Sequence, residues 1–138
     1  ATEIGAFARR PPRLITTGAP VPAGTSGGIT PLGTAGGVAG ACALAAASAG
    51  LAPHGAATAM VVAAAGVAGM LVDSLLGATV QGVFECPACA ARSETRAAGC
   101  HGPLRLSRGW PWLDNDAVNL GATLAGAATG ALGSRLLS

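Results

Sequence analysis

The chain has 138 residues, a net charge of +2, 10% charged and 51% hydrophobic residues, 22 glycines, and neither Lys nor Tyr. Low charge with high Ala and Gly leaves two classes for a chain of one-domain length, a Gly/Ala low-complexity coil or a membrane bundle of small residues, and the positive mean hydropathy favours the membrane. The weak positive charge argues against a nucleic-acid partner: Arg9, Arg10 and Arg13 cluster, but no aromatic residues interleave with them to stack on bases.

The first segment, 1–30, begins "ATEIGAFARR" without Met and without an apolar core after a basic start, so it does not read as a signal peptide. The expectation is a fragment of a longer protein. The segment closes with "GTSGGITPLGT", 24–34, which leads into an apolar run. Glycines and hydroxyls before a helix N-terminus can present backbone N–H groups to an anion, and the helix dipole adds to this. The stretch lacks the Lys of a P-loop, and a plain Gly-rich turn reads equally well.

Three runs are long enough for the roughly 20 apolar residues of a membrane helix. They are 31–52, then 56–84, and then 117–136, which opens "AVNLGATLAGAATGALGS". Pro31 suits a first helical turn, and "APHG", 52–55, makes a short turn between antiparallel helices. The first and third runs are mostly Ala and Gly, which suits helices packed closely on one another. Gly33/Gly37, Gly36/Gly40 and Gly126/Gly130 have the four-residue spacing of a small face. Arg9, Arg10 and Arg13 precede the first run, and Arg92, Arg96, Arg105 and Arg108 lie between the second and third. Two spans separate these Arg-rich segments, so both fall on one side, which the positive-inside rule makes cytoplasmic. The expectation is an all-α, multi-pass cell-membrane bundle, a single domain with 1–30 and 85–116 cytoplasmic.

Asp73 interrupts the second run, within "GVAGMLVDSLLGATVQG". It lies about 26 Å along a helix that starts near Ala56, close to the cytoplasmic edge. Asp73, Gly77 and Gln81 follow at four-residue steps on one face, with Ser74 and Ala78 beside them. A carboxylate at such a depth is a candidate functional group, expected to face Asp114 and Asn119, and the plainer alternative is an interfacial carboxylate that caps or snorkels.

Two further groups lie on the same expected side. "WLDNDAVN", 112–119, leads into the third run; Asp114 and Asp116 could share a divalent cation with help from Asn115 and Asn119, and ordinary N-capping is the alternative. "CPAC", 86–89, followed by Cys100 and His101, has the donor set of a Cys₃His Zn²⁺ site, with a redox dithiol or free thiols as alternatives. Cys42 reads as a small apolar residue in the first run, and His54 as a solvated turn residue.

Taken together, "ATEIG", "PRLITT", "GTSGGITPLG", "LVDSLLGATVQ" and "LDNDAVN" resemble, in order and over nearly the whole chain, the integral-membrane family called domain of unknown function 92. That family includes the plant phytyl-phosphate kinase of tocopherol synthesis and an animal transmembrane protein. Its members continue upstream with further membrane helices and an Asp-containing stretch, so the resemblance implies a C-terminal portion whose missing N-terminal helices are partners. It also implies transfer of phosphate from a nucleoside triphosphate, CTP in related polyprenol kinases, to a prenyl monophosphate, with Mg²⁺. The matching positions are Asp73, Asp114, Asn115 and Asn119 as catalytic residues. Glu3, Arg13, Thr16, Gly24, Thr25, Gly27, Gly28, Ser74 and Gln81 match as substrate-binding residues. Cys86, Cys89, Cys100 and His101 depart from the plant members, so a metal there is expected to be structural, stapling the loop. The alternative classes are a small-solute carrier, which should place polar groups at the bilayer midplane, and a structural bundle with a zinc-stapled loop.

Overall fold

The computed structural model describes residues 2–52, 54–94 and 102–137. It is mostly helical. A short α1 (Thr2–Gly5) precedes three long helices, α2 (Pro31–Ala49), α3 (Gly55–Thr79) and α4 (Asn115–Arg135). The expected all-α class holds at the level of a mostly helical chain, to which, among the described residues, five short strands are added. β1 (Arg13–Leu14) pairs with β2 (Gly28–Ile29), and β3 (Val83–Glu85), β4 (Arg92–Ser93) and β5 (Arg105–Arg108) form an antiparallel sheet in the order β4-β3-β5.

Each long helix starts and stops for local reasons. Thr30 caps α2, its hydroxyl accepting from Gly33 N–H at 3.0 Å, and Pro31 occupies the first turn where its missing N–H costs nothing. Gly50 ends the helix, and His54 takes a left-handed φ of 62° to turn the chain into α3. Asp114 caps α4 by accepting from Ala117 N–H at 3.0 Å.

The second expected run, 56–84, ends early: α3 stops at Thr79 and residues 83–85 are a strand. "VQGVF" is poor in helix formers and rich in β-branched and aromatic residues. The segment instead pairs with 110–113. Gly82 N–H donates to Leu113 O at 2.8 Å, and Trp110 N–H donates to Val80 O at 2.9 Å. Arg108 then finishes α3, donating to the carbonyls of Gly77 (2.8 Å) and Ala78 (3.0 Å) at the negative end of the helix dipole.

The three long helices form an up-down-up bundle with α3 in the middle. Along the α3–α4 contact, Leu76 meets Gly121, Gly69 meets Ala122 and Gly126, and Val61 meets Gly133, so the two run antiparallel. A Cβ on Gly69 would lie 3.1 Å from Ala122 O, and one on Gly126 would lie 3.2 Å from Ala65 O. Gly66 makes the equivalent approach to Ala41 of α2. Gly126 thus joins the close packing expected of it. Gly36 holds Ile4 of α1 instead, and a Cβ on Gly40 would meet open space.

Size is distributed inside out. Ala45 and Ala122 are 5% and 9% exposed, whereas Leu44 and Leu132 are 68% and 63% exposed. In water that arrangement would leave the large apolar side chains wet. In hydrocarbon they are solvated by acyl chains, while the small residues allow backbone contact. Among the described residues, α2 and α3 are long and apolar enough to cross a membrane. α4 has 21 residues but is not apolar enough to join them, so the three expected spans reduce to three long helices of which two have that composition.

Candidate functional site at the helix ends

Antiparallel packing brings the N-termini of α2 and α4 and the C-terminus of α3 to one end of the bundle. The 6–30 segment and the β-sheet cover that end. Arg9, Arg10 and Arg13 and, among the described residues of the second segment, Arg92, Arg105 and Arg108 therefore lie at that same end of the bundle. Between them is a cleft of about 570 Å³.

Met70, Leu71 and Val118 are among its apolar lining residues; Val118 is buried, whereas Leu71 is 43% exposed. Asp73 and Ser74 of α3 and Asn115 at the start of α4 line the same space. Asp73 is six residues short of the end of α3, about 9 Å along the axis. Gly24, Thr25, Ser26, Gly27 and Gly28 form one wall, Arg9 and Arg10 another, and Gln81 and Glu94 close the third side. The cleft thus combines charged and polar groups with apolar ones.

The Gly-rich wall is held from behind. Gly27 has φ of 76°, and a Cβ there would overlap the backbone of Ala78. Conversely, a Cβ on Gly77 would come 2.9 Å from Gly27 N. Some amides of this wall are committed within the fold: Thr25 N–H donates to Pro22 O at 3.2 Å and Gly28 N–H to Thr25 O at 2.9 Å. Gly27 O accepts from Ile15 N–H at 3.0 Å. With Thr30 also capping Gly33, the wall is first a built turn, and Arg9 and Arg10 line the same cleft.

Of the residues singled out in the sequence, the cleft gathers Gly24, Thr25, Gly27, Gly28, Asp73, Ser74, Gln81 and Asn115. The 73/77/81 face survives although α3 ends between Gly77 and Gln81, because Gln81 N–H still donates to Leu76 O at 3.1 Å. The expected opposition of Asp73 to Asp114 and Asn119 takes a different form: Asn115 and Val118 line the cleft from α4. Asp114 is an exposed helix cap, Asp116 an exposed first-turn residue, and Asn119 points outward. Arg13 and Thr16 are exposed too, and the Arg13 guanidinium donates to Gly18 O at 2.7 Å. Glu3 lies in α1.

Cys86 is fully buried where β3 ends, and Cys89 is exposed in the turn before β4. The turn is tight: Ala90 N–H donates to Cys86 O at 2.8 Å, Cys86 N–H donates to Ala91 O at 2.9 Å, and Ala90 has φ of 54°. Cys100 and His101, the other two expected Zn²⁺ ligands, lie outside the described residues. Among the described residues no group of three or more His, Cys, Asp or Glu side chains is placed to hold a metal.

Two features of the cleft were missed in the sequence. Arg9 and Arg10 were visible as a basic cluster but were weighed only against a nucleic-acid partner and as topology markers. Glu94 gave no signal, since it stands in a loop with no periodicity. It reaches the site through contacts 13 and 68 residues distant in the chain, to Gln81 and Ser26.

Comparison with known families matches the chain over residues 1–127 to a family described as integral membrane protein DUF92. No curated protein and no solved structure matches the chain.

Proposed function

The chain belongs to the DUF92 integral membrane protein family, and from that premise we propose that it is the catalytic end of a multi-pass membrane kinase acting on a prenyl monophosphate. The observation that carries this reading is the mixed lining of the cleft, where Arg9, Arg10, Asp73, Ser74 and Asn115 share one space with Met70 and Leu71. A lipid phosphate has the matching shape, an apolar tail with a dianionic head. The tail would enter between helices whose outer surface is already apolar, and its head would be held by the charged and polar lining residues.

Phosphoryl transfer asks for positioning and charge neutralisation more than for covalent catalysis. Arg9 and Arg10 would hold phosphate oxygens. Asp73 and Asn115 offer hard oxygen donors, which suit Mg²⁺, an ion that takes one or two carboxylates and completes its shell with phosphate oxygens and water. When bound, Mg²⁺ would neutralise charge on the transferring phosphoryl group. Ser74 would orient the acceptor phosphate. α4 would act as a third span, supplying Asn115 from its first turn. The end bearing the cleft would be cytoplasmic, where nucleoside triphosphates are available.

A carrier would need its polar groups along a path through the bilayer. Here they concentrate at one end of the bundle, which favours an enzyme. On the hairpin that leads to Glu94, Cys86 and Cys89 have the donor chemistry and tight turn of half a structural Zn²⁺ site. We assign Cys100 and His101 as its other half.

The test uses the full-length protein in nanodiscs with phytyl monophosphate, CTP or ATP, and Mg²⁺. Formation of phytyl diphosphate is expected. Absence of transfer from every nucleoside triphosphate to every prenyl monophosphate, with solute flux in proteoliposomes, would replace the kinase with the carrier.

A further inference from the structure

We propose that Glu94 is a positioning residue for this cleft, a clamp that fixes the Gly-rich wall to the end of α3. Its carboxylate sits between two donors from distant parts of the chain. One oxygen, Oε1, accepts from the Ser26 hydroxyl, and the other, Oε2, accepts from Gln81 Nε2 at 3.0 Å. Gln81 is 1% exposed, so its amide needs a partner inside the fold, and Glu94 provides it. Ser26 immediately precedes Gly27, the residue seated on Ala78. The wall is therefore held at two adjacent points, by steric fit at Gly27 and by hydrogen bonding at Ser26.

This geometry also explains how a carboxylate is tolerated beside a site for phosphates. A bare carboxylate would repel them. With a donor on each oxygen, its lone pairs are directed at Ser26 and Gln81, and its charge is stabilised by hydrogen bonds. Glu94 acts through these neighbours and touches none of the reacting atoms. It follows directly from β4, on the hairpin whose turn carries Cys86 and Cys89, so that hairpin places one wall of the cleft.

The inference deepens the lipid-phosphate reading and rests on it for its substrate, but the clamp itself is read without turnover. Hydrogen–deuterium exchange is measured on the full-length protein in nanodiscs for wild type, Glu94→Ala, Glu94→Gln and Ser26→Ala. Gln can keep both bonds: its amide oxygen accepts from Gln81 and its NH₂ donates to Ser26 Oγ. Exchange across residues 24–28 should rise roughly ten-fold in Glu94→Ala, as expected for loss of a hydrogen bond to a charged group, and stay near wild type in Glu94→Gln. With phytyl monophosphate as probe, KM should rise by about the same factor in Glu94→Ala with little change in kcat, because the wall is displaced and the chemistry is untouched. Ser26→Ala should fall on the same side as Glu94→Ala. Unchanged exchange at 24–28 in Glu94→Ala would overturn the clamp. A Glu94→Gln variant as impaired as Glu94→Ala, with a raised Mg²⁺ requirement, would also overturn it and make Glu94 a metal ligand. Faster exchange in Glu94→Ala, together with a wild type that transfers no phosphate, would leave the clamp standing and remove the kinase.

Discussion

Gly27 rests on Ala78 with no room for a side chain between them: a Cβ at Gly27 would overlap the Ala78 backbone, and the residue's φ of 76° is itself left-handed. This contact joins the N-terminal segment to the end of α3. Two separate penalties attach to Gly27→Ala, about 1–2 kcal/mol for the left-handed backbone and a clash that only a shift of the whole wall can relieve. Gly24 isolates the first penalty, because its φ is 84° but a Cβ there would meet nothing within 4 Å. Thermal unfolding in detergent should therefore show Gly24→Ala modestly destabilised and Gly27→Ala severely so. Equal losses at the two positions would show that the wall is not seated on α3.

The inside-out bundle makes a second contrast. Gly126 meets the backbone of Ala65, whereas Leu124, two residues earlier on α4, faces outward. Gly126→Leu should force α4 from α3 and cost about 1–3 kcal/mol or more, as overpacking does. Leu124→Ala should stay within about 0.5 kcal/mol, the range of substitutions away from packed features. Unfolding midpoints in the same detergent read both. A more damaging Leu124→Ala would mean that the outward face is covered by protein rather than lipid.

Much of this arrangement was legible in the sequence, and the limits have physical causes. Long apolar runs mark the helices because a helix must be apolar over its whole lipid-facing length. The cap at Asp114, one of the two readings of its motif, follows from short-range hydrogen bonding. The end of α3 was misread because Val80, Val83 and Phe84 are apolar in either conformation, and hydropathy cannot separate a helix end from a strand. Asp73, Ser74 and Gln81 were found because polar groups stand out in an apolar run. Glu94 stands in a polar loop where a carboxylate is unremarkable, so only the contacts to Ser26 and Gln81 identify it. Asp114 and Asn119 share a motif with Asn115, but Asp114 is taken up as the cap of α4 and Asn119, one turn beyond Asn115, is exposed outside the cleft, so of the three only Asn115 lines it.

Sidedness can be read at His54, in the turn between α2 and α3, and at Arg92 in β4. These positions lie at opposite ends of the bundle. In a Cys-free background of the full protein, a membrane-impermeant thiol reagent added from outside should label His54→Cys and leave Arg92→Cys unlabelled. The reverse pattern would place the cleft on the outer face, away from nucleoside triphosphates.

The buried thiol of Cys86 and the left-handed Ala90 are consistent with a turn shaped to present sulfur ligands. Stoichiometric Zn²⁺ is expected in the purified full-length protein, falling sharply in a Cys86→Ser/Cys89→Ser double variant. That variant should lose thermal stability more than turnover, because the hairpin supports the cleft from behind through Glu94. A metal content unaffected by both substitutions would eliminate the Zn²⁺ site.

Asp73 carries the functional reading most directly. It is the sole carboxylate within the apolar helix α3, it lines the cleft beside Ser74, and Asn115 faces the same space from α4. Asp73→Asn preserves size and hydrogen bonding and removes the charge proposed to hold Mg²⁺ against the phosphates. Folding, followed by monodispersity and melting in detergent, should be retained. Phosphoryl transfer to phytyl monophosphate should fall roughly a hundred-fold or more, since charge neutralisation by a metal supplies several kcal/mol and each 1.36 kcal/mol is a factor of ten. Mg²⁺ titrations should show the residual activity saturating at higher metal concentration. An Asp73→Asn protein with wild-type turnover and an unchanged Mg²⁺ response would reduce Asp73 to an interfacial carboxylate and leave the cleft without its metal ligand.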